Sequence, residues 1–182
     1  MMMRRLTRSL AILIAFAACG AEASLVVVAN APTRVSLRVG SAGGMVDRVT
    51  FAVPAANVGN GTAVTGTVAA SAGCGANQVL IDAEARAAPA NSRTATLSVD
   101  TSTALTDGAG NSIPFNNIAW TSSGFAPTTI GSGTFAGAAG QTLATWQNSR
   151  RNRACLSFRY LNSQIFSAGT YDGRARFTVV MP

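Results

Sequence analysis

The chain has 182 residues, of which 48% are hydrophobic and only 12% charged, and it carries a formal net charge of +7. All 14 basic residues are arginine and histidine is absent, which excludes imidazole general bases, histidine metal ligands and lysine Schiff bases, and with them most hydrolase and oxidoreductase designs. Beyond the N-terminus no uncharged apolar run approaches the ~18 residues of a membrane-spanning helix, so no transmembrane segment is expected in the mature chain.

The first element in chain order reads as a signal peptide over residues 1–23. Arg4, Arg5 and Arg8 form a positive n-region, Leu10 to Ala18 an apolar h-region, and Ala21-Glu22-Ala23 a small-x-small cleavage site before Ser24. An alternative is lipidation at Cys19, where Phe16-Ala17-Ala18-Cys19 makes a loose lipobox. Export places the protein in the periplasm, at the cell surface or outside the cell. Cleavage after Ala23 leaves two cysteines, Cys74 and Cys155, 81 residues apart. In an oxidising compartment an even count predicts one disulfide; two unpaired thiols are the other reading.

Residues 24–182 read as one domain, with an apolar period of two and not 3.6. In Thr33–Val39 the side chains of Val35, Leu37 and Val39 share one face and Ser36 and Arg38 the other. Further strands are predicted over Val46–Val53, Ala63–Val68, Gln78–Arg86, Arg93–Val99, Ile113–Trp120, Thr128–Phe135, Gln141–Trp146, Ala154–Tyr160 and Thr170–Met181. Turn signals separate them, among them Gly40 to Gly44, Gly59-Asn60-Gly61, Asp107 to Asn111 and Ser122-Ser123-Gly124. Many short strands without an amphipathic helix predict an all-β, antiparallel sandwich of immunoglobulin-like topology, with a jelly roll or small barrel as alternatives.

The last strand alternates over its whole length. Tyr171, Gly173, Ala175, Phe177, Val179 and Met181 fall on one face, and Asp172, Arg174, Arg176 and Thr178 on the other. Its expected neighbour is Ala154–Tyr160, with Leu156, Phe158 and Tyr160 pointing inward and Cys155 on the outer face or at the strand's start, so that a bridge to Cys74 clamps the rim.

Three constellations invite a chemical reading. Asp107-Gly108-Ala109-Gly110-Asn111 offers too few oxygens for a calcium site and reads better as a glycine-rich hairpin loop. Asp82 and Glu84 could pair as glycosidase carboxylates, but with Arg86 adjacent a solvated strand face is the better reading. Arg150, Arg151 and Arg153 are expected in one loop, and Arg159, Arg174 and Arg176 on the outer face of one hairpin. Such forks suit phosphate or carboxylate, and so an anionic cell-surface ligand; the alternative is a solubilising face. Nucleic acid does not fit, because the aromatics alternate to the core side. Trp120 and Trp146 are expected to cap the core, and Asn60-Gly61 to form a turn. No catalytic, metal or cofactor site assembles from these residues.

Phe158-Arg159-Tyr160, then Ala168-Gly169-Thr170-Tyr171 and the alternating strand that follows, resemble the end of chaperone–usher pilins and of spore-coat-U-like secreted proteins. Such pilins carry a Gly fourteenth from the end, the position of Gly169; Met181 stands where they have an aromatic, and Cys155 lies later than their usual cysteines. The resemblance implies an incomplete immunoglobulin-like sandwich whose groove is filled first by a periplasmic chaperone and then by the N-terminal strand of a like subunit. Under that reading Gly169, Tyr171, Ala175, Phe177 and Val179 border the groove. The apolar Ser24 to Asn30 supplies the donor strand through Leu25, Val27 and Ala29, unless it is the first strand of its own sandwich. The implied function is a non-enzymatic subunit of a fimbria-like assembly active in cell adhesion. A self-complete secreted module binding anionic surface ligands through its arginine face is the alternative.

Overall fold

Period-two alternation becomes antiparallel sheet throughout. The computed structural model describes residues 33–40, 48–69, 71, 73–87, 93–147 and 150–182, all within the compact unit Pro32–Pro182. The strands are β1 (Thr33–Val39), β2 (Val64–Thr65), β3 (Val79–Ala87), β4 (Thr94–Asp100), β5 (Leu105–Thr106), β6 (Ser112–Ile113), β7 (Ile118–Ser123), β8 (Gly133–Thr134), β9 (Gln141–Gln147), β10 (Arg150–Tyr160) and β11 (Arg176–Val180). The only helical turns among the described residues are two short 3-10 segments, Ala55–Asn57 and Phe115–Asn117.

One sheet has the order β1-β3-β10-β7-β8, with β2 also pairing along β10; a second has the order β11-β4-β9; β5 and β6 form a separate ribbon. Side chains from both larger sheets meet in one core, which includes Ile81, Leu97, Trp120, Trp146 and Leu156. Strands β3 and β10 form the spine of the larger sheet, in a register running from Arg150↔Ala85 to Leu156↔Val79. Along the inner side of β10 the residues grow from Asn152 and Ala154 to Leu156, Phe158 and Tyr160. At the broad end Phe135 stacks on Phe158 at 5.9 Å and meets the edge of Phe115 at 5.7 Å. Both tryptophans are buried in this core, as expected of core caps.

Several elements differ from the sequence expectation. The last strand pairs with β4, from Arg176↔Asp100 to Val180↔Thr96, and not with Ala154–Tyr160, whose neighbours are β3, β2 and β7. It begins at Arg176, not Thr170; Asp172 makes only an isolated bridge to Thr106. Ile113–Trp120 is interrupted at Pro114, which lacks an amide hydrogen and opens a 3-10 turn. The stretch expected over Val46–Val53 contributes a single bridge, Thr50↔Thr67, among its described residues, and Thr128–Phe135 narrows to Gly133–Thr134. Arg150, Arg151 and Arg153 lie in β10 and not in a loop. The cause is Asn152: its inward side chain is fully buried and is held by Thr129, whose amide and hydroxyl bond it at 3.0 and 2.9 Å.

At the far end of β10, Asn162 sits in the left-handed region at φ 53 and is 1% exposed. Its Oδ1 accepts from the Gly59 amide at 2.9 Å, and its Nδ2 donates to the carbonyls of Asn57 at 2.7 Å and Thr62 at 3.3 Å. The residue thereby satisfies the backbone of the 55–62 loop. Asn162→Ala leaves those groups unpaired and is expected to lower unfolding free energy by about 2–4 kcal/mol, read from urea denaturation midpoints. Ser163→Ala, at the exposed next position, should stay within about 0.5 kcal/mol of the parent, and equal losses in both variants would refute the staple.

Candidate functional site

The two main sheets differ in width. Neighbouring strands lie about 4.8 Å apart, so a five-strand path exceeds a three-strand sheet by roughly 10 Å. Apolar residues on the margins of the wider sheet therefore need another cover. On the β8 side the chain supplies it: Phe135 is buried, and Gln141 bonds the Ala136 amide at 2.8 Å and the Thr134 carbonyl at 2.9 Å.

The β1 side is different. Strand β11 hydrogen-bonds to β4 along one edge, and its other edge has no strand partner among the described residues. Strand β1, the margin of the other sheet, lies alongside β11. Val35, Leu37 and Val39 from β1 share this seam with Phe177 and Val179 from β11, flanked by Ala175 and Met181. Most of these side chains pack on the core but stay half-covered, and Val35 is 43% exposed. One strand further in, Ala83, Ala85, Leu97 and Val99 are 0% exposed. The result, among the described residues, is a strip of apolar surface beside a strand edge without a strand partner.

Of the residues expected to border a groove, Ala175, Phe177 and Val179 lie on this seam. Gly169 and Tyr171 belong to a strap that precedes it. There the Tyr171 hydroxyl donates to the Ser167 carbonyl at 2.8 Å, and Asp172 exchanges both backbone bonds with Thr106. Arg48 anchors the strap through Asp172 at 2.9 Å. Gly173 packs against β5, where an added Cβ would lie 2.8 Å from Leu105 Cγ and 3.1 Å from its Cα. Leu25, Val27 and Ala29, with the signal peptide and Cys19, lie outside the described residues. Val35, Leu37 and Val39 were legible as one strand face but not as the opposite wall of this seam; the signal was their place on a strand at the sheet margin.

Cys74 and Cys155 are bonded, with Cα atoms 5.6 Å apart. Cys155 faces away from the core, as its register predicts, and is 3% exposed beneath the segment that carries Cys74. The arginines do not form the expected face. Arg151 grips both oxygens of Asp82, which is buried and therefore not the solvated carboxylate the sequence implied. That hydrogen bond and the carboxylate charge raise the Arg151 pKa above its ordinary value. Arg86 pairs with Glu84, which also separates the two candidate glycosidase carboxylates into ion pairs. Arg153 lies 4.1 Å over the Phe125 ring, and Arg150 is half-buried. Arg159 is on β10, whereas Arg176 begins β11 of the other sheet and Arg174 lies in the strap before it, so no hairpin joins them.

The Asp107 to Asn111 loop closes on itself, as a hairpin loop should. Asp107 accepts from the amides of Ala109 and Asn111 and from the Asn111 side chain, and this last bond holds its carboxyl below the usual range. Among the described residues no three His, Cys, Asp or Glu side chains converge on a metal position. Comparison with known proteins returns no matching family model, no curated relative and no solved structure.

Gly173→Ala forces a methyl group against Leu105, whereas Gly169→Ala meets nothing closer than 3.3 Å. The first substitution is expected to destabilise by about 1–3 kcal/mol and the second by clearly less. Thermal unfolding of both variants checks the ordering, and a reversed order contradicts the docking of the strap on β5.

Proposed function

We propose that the chain is an exported, non-enzymatic structural subunit of a fimbria-like surface assembly, joined to like subunits by β-strand complementation. One observation carries the reading: the seam between β11 and β1, where an edge of β11 has no strand partner among the described residues and borders exposed Val35 and half-covered Leu37, Phe177 and Val179. A strand laid there would gain main-chain hydrogen bonds from β11 and place alternate side chains between the two sheets. Each apolar side chain fully buried contributes about 1.5–3 kcal/mol, so three of them offset a substantial ordering cost.

The donor in this reading is Ser24 to Asn30 of a neighbouring copy, through Leu25, Val27 and Ala29. Its β-branched, uncharged composition suits insertion. The domain is then an immunoglobulin-like sandwich short of one strand. A periplasmic chaperone would cover the seam before assembly, since a free edge of this kind pairs with other chains indiscriminately. The segment before Ser24 has the tripartite build of a signal peptide, consistent with the oxidised Cys74–Cys155 pair.

Purified after export, the protein should form slow, detergent-resistant ladders on unheated gels. Val27→Asp, which puts a charge into the inserted face, should abolish the ladders while leaving the monomer folded by circular dichroism. A stable parent monomer in which residues 24–30 resist proteolysis would mean that the chain fills its own seam, and would refute assembly by exchange.

A further inference from the structure

Asn60-Gly61 is the only Asn-Gly dipeptide in the chain, and its place in a turn leaves its chemistry unused. Asparagine before glycine is open to attack from its own backbone, because no side chain hinders the glycine nitrogen from reaching the asparagine Cγ. Here Asn60 is exposed, Gly61 sits in the left-handed region at φ 76, and a Cβ built on Gly61 would meet nothing within 4 Å. Water and space are therefore both at hand.

The hydrogen bonds of the loop act on the two reacting groups in opposite senses. Asn60 Oδ1 accepts from the Thr62 amide at 2.8 Å and from Asn162 Nδ2 at 3.1 Å. Donors on that oxygen draw charge from Cγ and stabilise the oxyanion that attack would create. The nucleophile is held back: the Gly61 amide donates to the Asn162 carbonyl at 2.9 Å. Its nitrogen can attack only after giving up that proton and turning toward Cγ. Asn162 is 1% exposed and tied by its side chain to Gly59, Asn57 and Thr62, so opening of the loop is what releases the Gly61 amide.

We propose that Asn60 is a site of spontaneous deamidation gated by Asn162. When the 55–62 loop opens, the Gly61 nitrogen loses its proton to water, bonds to Asn60 Cγ and expels the side-chain nitrogen as ammonia, leaving a cyclic imide. Water then adds to one of the two ring carbonyls and opens the ring to aspartate or to its isomer linked through the side chain. Side-chain amide and water become carboxylate and ammonia, and the loop gains one negative charge. Aspartate keeps an oxygen for the Thr62 and Asn162 donors. The isomer lengthens the main chain by a methylene and takes the Gly61 amide out of reach of Asn162.

The test is peptide mapping by mass spectrometry of the exported protein, incubated in mildly alkaline buffer beside a synthetic peptide of residues 58–64. The folded protein should deamidate at Asn60 ~10-fold or more slowly than the peptide, in the ratio set by the fraction of time the loop is open. Asn162→Ala should raise the rate severalfold toward that of the peptide, and Ser163→Ala should leave it unchanged. Asn162→Asp tolerates the left-handed turn but loses the Nδ2 donors, and it should act in the same direction if the alanine variant does not accumulate. Equal rates in the folded parent and the peptide, or a rate unchanged in the Asn162 variants, overturn the gate. The seam takes no part in these readouts, so this site and strand complementation fail separately.

Discussion

Unequal sheet width is the constraint on which the rest of this structure depends. A core between two layers is sealed only where both layers extend over it, and here three strands face a path of five. Where the chain has extra length, around Phe135 and Gln141, it folds a turn over the excess and closes it. Along β1 and β11, apolar side chains are half-covered and the outer edge of β11 has no strand partner among the described residues. Burial falls from complete at Leu97 and Ala83 to partial at Val179 and Leu37 within one strand of the margin.

Polar groups fix the spine against which this margin is defined. Arg151 and Asp82 tie β10 to β3, Asn152 holds the crossing segment at Thr129, and Asn162 secures the loop over the opposite end of β10. Each involves one buried polar residue: Asp82, Asn152 or Asn162. A buried bond of this kind contributes modestly when made and costs considerably when broken, so these contacts act mainly by selecting one register. Among the described residues, Nε and Nη2 of Arg38 and Nε1 of Trp146 stand outside that pattern, shielded and without a hydrogen-bond partner.

Much of the architecture was legible because period-two alternation needs no partner to be seen. The expected Gln78–Arg86, Arg93–Val99 and Gln141–Trp146 differ from β3, β4 and β9 by one residue at their ends. The inward set Phe177, Val179 and Met181 was read correctly for the same reason. Pairing was not legible: the alternation of β11 suits β10 as well as β4, and the choice depends on chain paths distant in sequence. Arg150 to Arg153 looked like a loop because three charges flank one amide, yet that amide is the buried one. Asp82 looked solvated because its cation lies 69 residues away. The seam was legible only as two separate strand faces, since nothing in either stretch marks it as a margin.

The bridge between Cys74 and Cys155 has a mechanical corollary. An extended chain reaches about 3.3–3.6 Å per residue, so the 81-residue span it closes withholds roughly 270–290 Å of contour from any pull on the ends. Strand β3, and β10 as far as Cys155, lie inside that withheld span, whereas β1, β11 and the rest of β10 lie outside it. Under tension the stretches before Cys74 and after Cys155 can extend, while β3, β4, β7 and β9 stay behind the bridge.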